Sequence, residues 1–172
     1  MRSREQWTSL PYVIKQPSPQ VWETTGIKGN LDNLDIRSAA FKIKKAVYEE
    51  MILYCQQALP FEACGLLSGM RFNGTNLWKI KNETLKSNRF SMSKESIELT
   101  SKNANKMGEK ISGIFHSHPS SPAYPSSHDI GNTPYPNLAY IIVSFYKGKV
   151  EVGCFQINEG MVTPLKLIIV EE

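Results

Sequence analysis

Cysteine is scarce in this chain of 172 residues: there are three, Cys55, Cys64 and Cys154. An odd number without metal-type spacing supports neither a disulfide framework nor a thiolate zinc site, and it fits a reduced compartment. No apolar run reaches the roughly eighteen residues that a membrane span requires, and the first residues lack the apolar core of a secretory signal. The expectation is a soluble, cytoplasmic protein with no membrane partner. Basic residues outnumber acidic ones only modestly, for a net charge of +4, and no block of Lys and Arg concentrates them, so the pattern gives no nucleic-acid footprint. Internal repeats and low-complexity tracts are also missing. With 41% apolar and 21% charged residues, the composition is that of one ordinary globular domain.

What is present centres on residues 116–129, HSHPSSPAYPSSHD. The apolar run from Ile111 to Phe115 predicts a strand that leads directly into His116 and His118. Side chains alternate along a strand, so both imidazoles share one face and Ser117 turns away. Pro119, Pro122 and Pro125 then bar a ladder or helix, and the chain turns back before a new element starts near Ser126. That return brings Asp129 beside the histidines. Ser126 and Asp129 also form S-x-x-D, the signature of an N-cap with an acidic first turn. His128, in the same turn, is expected to face solvent.

Two imidazoles and a carboxylate form an N,N,O donor set, which zinc accepts in tetrahedral sites with one open position. Water held at such a position has its pKa lowered to about 7, so hydroxide becomes available to attack a carbonyl. Iron or manganese also uses two histidines and a carboxylate. A bare H-x-H often does nothing but hydrogen-bond, so the longer pattern carries the reading.

That longer pattern, His116-x-His118-Pro119, then Ser126-x-x-Asp129, with Glu62 upstream in Phe61–Gly69 (FEACGLLSG), resembles the JAMM metalloprotease family, also called MPN-plus or Mov34/PAD-1-like. The likeness covers residues 41–172, and every motif position is filled. It implies one zinc ion per chain held by His116, His118 and Asp129, with Glu62 as the general base that collects the water's proton. It implies Ser126 as the donor that steadies the tetrahedral oxyanion. It further implies an MPN fold with a cytidine-deaminase-like layout, and hydrolysis of the peptide or isopeptide bond after the C-terminal Gly-Gly of a ubiquitin-like or sulfur-carrier protein. Short flanking segments place the chain with compact prokaryotic members. An amidohydrolase barrel needs about 250 residues, and a RadC-type protein would begin with a helix-hairpin-helix unit that residues 1–40 do not resemble. A non-catalytic scaffold is the remaining alternative.

Residues 1–40, with Pro11, Pro17, Pro19, Gly26 and Gly29 and no sustained period, are expected to form an extension. Trp7, Tyr12 and Trp22 would anchor it to the catalytic domain at 41–172, where it would modulate access to the site. Helix-like spacing of Ala46, Val47, Met51, Leu53, Tyr54 and Ala58 predicts a helix from Ile43 to Leu59. A strand follows from Phe61 to Ser68, a hairpin turn at Asn73-Gly74, and a partner strand from Thr75 to Ile80. Arg89 and Phe90 stand where a bound tail could touch them. Ser93 starts a helix that ends at Gly108. Strands are predicted at Leu138–Tyr146, Val150–Ile157 and Met161–Val170, the last interrupted by Pro164 and closing the sheet. The sum is a single α/β domain, a curved mixed sheet flanked by helices.

Overall fold

The computed structural model describes residues 40–84 and 86–171. The expected extension over residues 1–40 therefore falls almost entirely outside the described residues.

The chain opens with strand β1 (Ala40–Lys44) and passes straight into helix α1 (Lys45–Gln57). This corrects the expected helix start at Ile43. Phe41 and Ile43 are buried while Lys42 and Lys44 are exposed, the period of two that marks a half-buried strand. α1 buries Val47, Tyr48, Met51 and Cys55 along one stripe and leaves Leu53 48% exposed.

Next come β2 (Cys64–Gly69), the two-residue β3 (Asn73–Gly74) and β4 (Asn76–Ile80). The strand expected from Phe61 thus begins three residues later, and Glu62 sits just ahead of it. Asn73-Gly74 is not the hairpin turn either. The chain reverses one step earlier, where Arg71 adopts a left-handed φ of 54°, and Asn73 and Gly74 pair in parallel with β1. A glycine suits that place because an added Cβ would meet Phe41 and Ile43 at 3.1 and 3.3 Å.

Helix α2 (Lys94–Lys106) is capped as expected, with the Ser93 hydroxyl accepting from the Ser96 amide at 3.2 Å. The remaining elements are β5 (Lys110–His118), the short helix α3 (Ser127–Gly131), β6 (Ala139–Ser144), β7 (Glu151–Asn158), β8 (Met161–Pro164) and β9 (Lys166–Val170).

Six strands form a mixed sheet in the order β4-β2-β5-β6-β7-β8. β5 and β6 are its one parallel pair among the described residues. Parallel neighbours cannot be joined by a tight turn, so the segment from Pro119 to Leu138, α3 included, must cross one face of the sheet. That crossing carries Ser126 and Asp129 back over the end of β5. The expectation that residues 161–170 close this sheet holds only for β8. At Leu165 the chain leaves it, and β9 joins β1 and β3 in a separate three-stranded sheet.

Two apolar clusters cover the larger sheet. On one face Phe115, Leu67, Ile141 and Val143 meet α1 and the small sheet. On the other, Leu66, Ile114, Tyr140 and Ile142 meet Phe90, Met92 and the Ile97 side of α2. Cover on both faces explains why β2 and β6 are buried at every position instead of alternating.

Candidate metal centre

His116 and His118 close β5 on the second of these faces. Both are buried, 2% and 3% exposed. Ser117 points away, as strand alternation requires, and its hydroxyl accepts the Ala63 amide at 2.8 Å while its own amide donates to the Ala63 carbonyl. The serine between the two histidines therefore fastens the chain next to Glu62 onto the end of β5.

Asp129 arrives on α3. Ser126 and Asp129 form a capping box: the Ser126 amide donates to Asp129 Oδ2 at 2.7 Å, and the Asp129 amide donates to Ser126 Oγ at 3.2 Å. The Ser126 hydroxyl also donates to Asp129 Oδ2 at 2.7 Å. Local helix-start chemistry thus turns the carboxylate toward the histidines.

The three donor groups face one another. His116 Nε2 and His118 Nε2 stand 3.1 Å apart. Asp129 Oδ1 is 3.4 Å from His116 Nε2, and Oδ2 is 3.3 Å from His118 Nε2. Around a tetrahedral ion with bonds of about 2.0–2.1 Å, neighbouring ligand atoms lie about 3.3–3.4 Å apart. The two imidazole nitrogens stand close to one edge of such a tetrahedron, and each has a carboxylate oxygen of Asp129 at a similar distance. One ligand atom from each of the three residues lies within 4.8 Å of the others, so the donor set fits a zinc-sized ion with one position left over. Among the described residues this is the one group of His, Cys, Asp or Glu so arranged. His118 Nδ1 lies 2.8 Å from the Pro122 carbonyl, which fixes its tautomer and leaves Nε2 free to bind.

The electrostatics agree with that use. Burial opposes ionisation of Asp129, but the two imidazoles and the Ser126 hydroxyl outweigh it and hold the carboxyl well below its usual range. Burial lowers the pKa of His116. Burial acts the same way on His118, but Asp129 and the Pro122 carbonyl win and raise it.

Glu62 is 5% exposed, with Oε2 buried and lacking a hydrogen-bond partner among the described residues. Burial pushes its carboxyl up to about 7, with His118 pulling it down and Asp129 pushing it up. It lies outside the donor trio but within electrostatic reach of two of its members. All five expected site residues, Glu62, His116, His118, Ser126 and Asp129, are brought to one end of β5.

His128 is exposed and contacts Asn132, apart from the cluster. Cys64 shares the sheet face of His116, its cross-strand neighbour. It is fully buried against the Ile80 carbonyl, and burial lifts its thiol to about 12. Two contributors had no sequence signal of a site role: Asn82, which donates to the Glu62 carbonyl, and Pro122. Phe90, a residue that a bound tail could touch, lays its ring on His116 with centroids 4.5 Å apart.

A mixed α/β domain with a buried His-His-Asp cluster at the end of a central strand defines a class: a JAB/MPN-type fold with a site able to hold a metal. Residues 44–156 match the family of prokaryotic homologs of the JAB domain, and the chain belongs to that family. It is similar to a protein of Desulfitobacterium hafniense solved in solution, at 34% identity and a TM-score of 0.71, over 77% of this chain and 94% of that one. A Salinibacter ruber protein shares the fold at 21% identity and a TM-score of 0.60, over 76% of this chain and 92% of that one. So does a JAB1/MPN domain protein from Archaeoglobus fulgidus, at 23% identity and a TM-score of 0.51, over 76% and 99%. No curated protein matches. No helix among the described residues is long and apolar enough to cross a membrane.

Proposed function

We propose that this protein is a zinc-dependent metallopeptidase that hydrolyses the amide bond after the C-terminal Gly-Gly of a ubiquitin-like or sulfur-carrier protein. One observation carries the reading: His116 Nε2 and His118 Nε2 stand 3.1 Å apart and each has an Asp129 carboxylate oxygen at 3.3–3.4 Å, with a buried carboxylate oxygen of Glu62, unpartnered among the described residues, beside them. Bound there, zinc supplies a Lewis acid and brings the pKa of water at its open position to about 7.

The chain's own groups supply the rest. With its carboxyl raised to about 7, Glu62 is poised to take a proton from the attacking water near neutral pH and return it to the amine as the C–N bond breaks. The net change is one water added across the amide. Ser126 serves first as the anchor of Asp129. Donation to the oxyanion requires its hydroxyl to turn from Oδ2.

Geometry next to the site supports an extended substrate tail. β4 is an outer strand of the six, and its Ile80 pairs with Cys64, which pairs in turn with His116. An edge two strands from the metal ligands, about 10 Å away, lets a tail add by backbone hydrogen bonds, and glycines fit where side chains would clash. Three buried free cysteines support a reducing, cytoplasmic location.

The test is a metal assay coupled to a panel of carrier fusions ending in Gly-Gly. One zinc per chain and chelator-sensitive cleavage after the second glycine are expected. Zinc without cleavage would sink the substrate class, and a chain that takes up no zinc would sink the enzyme.

A further inference from the structure

The two ligand histidines are held by different means. His118 has the Pro122 carbonyl behind its Nδ1, the usual arrangement in which the second ring nitrogen of a metal ligand is anchored. His116 has none: its Nδ1 is buried without a hydrogen-bond partner among the described residues. Without that anchor the ring has polar contacts with those residues on its Nε2 side alone, and a rotation about its bond to the chain would swing Nε2 away from His118 and Asp129. What lies flat against it is Phe90, with ring planes 23° apart.

Phe90 sits on an irregular segment between β4 and α2. That segment is held by the Thr84 hydroxyl on the Arg89 carbonyl, by the Glu83 amide on the Ser91 carbonyl and, with the most contacts, by the side chain of Asn82. Asn82 is 9% exposed, and its amide is used on both sides. Its Nδ2 donates to the Glu62 carbonyl at 2.9 Å and to the Arg89 carbonyl at 3.1 Å. Its Oδ1 accepts the Thr84 amide at 3.0 Å and the Ser91 amide at 3.1 Å. Arg89 and Ser91 flank Phe90, so both neighbours of the stacking ring are tied to Asn82. The same NH2 group grips the backbone of Glu62. No other side chain of this size has two donors and an acceptor in that layout: Asp would set oxygen against two carbonyls, and Leu would take the Asn82 partner from the Glu62 carbonyl and from the Thr84 and Ser91 amides, while the Arg89 carbonyl would keep the Thr84 hydroxyl.

We propose that Phe90 and Asn82 are positioning residues of the metal centre: Phe90 sets the ring plane of His116, whose Nδ1 has no hydrogen bond to do so among the described residues, and Asn82 locks Phe90 and Glu62 to a common point. The proposal rests on the metal reading above. It gives one hub control over a ligand and over the base, which stand on different strands' ends.

The test uses the full chain and measures two quantities. One is the zinc dissociation constant, from competition with a chromophoric chelator, read with the ligand-field spectrum of the cobalt-loaded protein. The other is the proton shift of the His116 ring in metal-free protein, where a stacked aromatic ring moves the resonances upfield. Phe90→Leu keeps apolar bulk but has no flat ring, and Phe90→Tyr keeps the ring. Zinc affinity is expected to fall about 10-fold or more in Phe90→Leu and in Asn82→Asp, with an altered cobalt spectrum, and to stay within about 2-fold of the parent in Phe90→Tyr. The His116 resonances should move downfield in Phe90→Leu and Asn82→Asp alone. Lys86→Ala removes only an exposed side chain and keeps the backbone carbonyl that accepts the Glu62 amide, so it should match the parent in both measurements.

If Phe90→Leu matches Phe90→Tyr in affinity, spectrum and ring shift, Phe90 is only packing and the proposal is overturned. The same holds if Asn82→Asp leaves the affinity, spectrum and ring shift unchanged. A parent protein that binds no zinc would refute the metal reading instead, and the ring shifts would then decide by themselves whether Phe90 and Asn82 orient His116.

Discussion

Burial raises the Glu62 carboxyl to about 7 from a usual 4.5, and a raised pKa on an acid is also a statement about stability. The folded chain then binds that proton more tightly than the unfolded one. Glu62 therefore favours folding while protonated in both states' acid range, and this contribution is lost as the pH rises from about 4.5 to about 7. In metal-free protein, Glu62→Gln should be the more stable form at neutral pH, by about 1–3 kcal/mol, with the gap closing toward pH 4.5. Urea unfolding at several pH values checks this. The same variant should retain zinc and lose turnover, since only the proton carrier is gone; lost metal, or parent-like activity, would contradict the base assignment. Ser126→Ala removes both the cap and the donor to Asp129 Oδ2. A loss of about 1 kcal/mol is expected, together with weaker zinc binding in chelator competition. The pairing of Ser126 with Asp129 was legible in the sequence because a capping box is made within four residues. The stacking of Phe90 on His116 was not, because nothing near Phe90 in the sequence marks which ring it will cover.

At the level of elements, the site depends on how closely the crossing segment lies on the sheet. Gly153 in β7 makes room for it: a Cβ there would sit 2.4 Å from the Ala123 carbonyl and 2.6 Å from the Phe155 ring. Ala123 belongs to the loop between His118 and Ser126, so Gly153→Ala should cost about 1–3 kcal/mol and also weaken zinc binding by shifting Asp129. Gly131→Ala is the contrast, with open space around the added methyl and a position in α3. It should be neutral or mildly stabilising. Thermal melts with and without zinc separate the two. The strands that local pattern identified well are those carrying long apolar runs, β5, β6 and β7. β1 has no strand reading in the sequence, and its last two residues, Ile43 and Lys44, are read there as helix, because its five residues gain their meaning from β9, where Lys166 through Val170 pair in register with Ala40 through Lys44. The Asn73-Gly74 dipeptide has the composition of a tight turn, but packing against Phe41 and Ile43 decided its use.

Taken whole, the molecule gathers the proposed metal ligands from β5 and α3, and the proposed base from the chain just before β2, so an ion bound there would tie separate parts of the fold together. A ligand that binds only the folded state stabilises it, by about 2.7 kcal/mol at a hundredfold excess over Kd. Chelation should therefore lower the Tm by several degrees, and a chain carrying Asp129→Ala should show no such response. Calorimetry with and without chelator measures both. By itself the sequence determined the donor types, the shared face of His116 and His118, the turn away of Ser117 and the helix start that aims Asp129, because strand alternation and capping act over a few residues. Only the tertiary structure decided that the sheet would divide at Leu165, that Glu62 would be buried at the end of β5, and that Asn82 and Phe90 would bear on the site. Those contacts join residues distant in the chain, and which partners they find is set by the packing of two faces of one sheet, not by any local period.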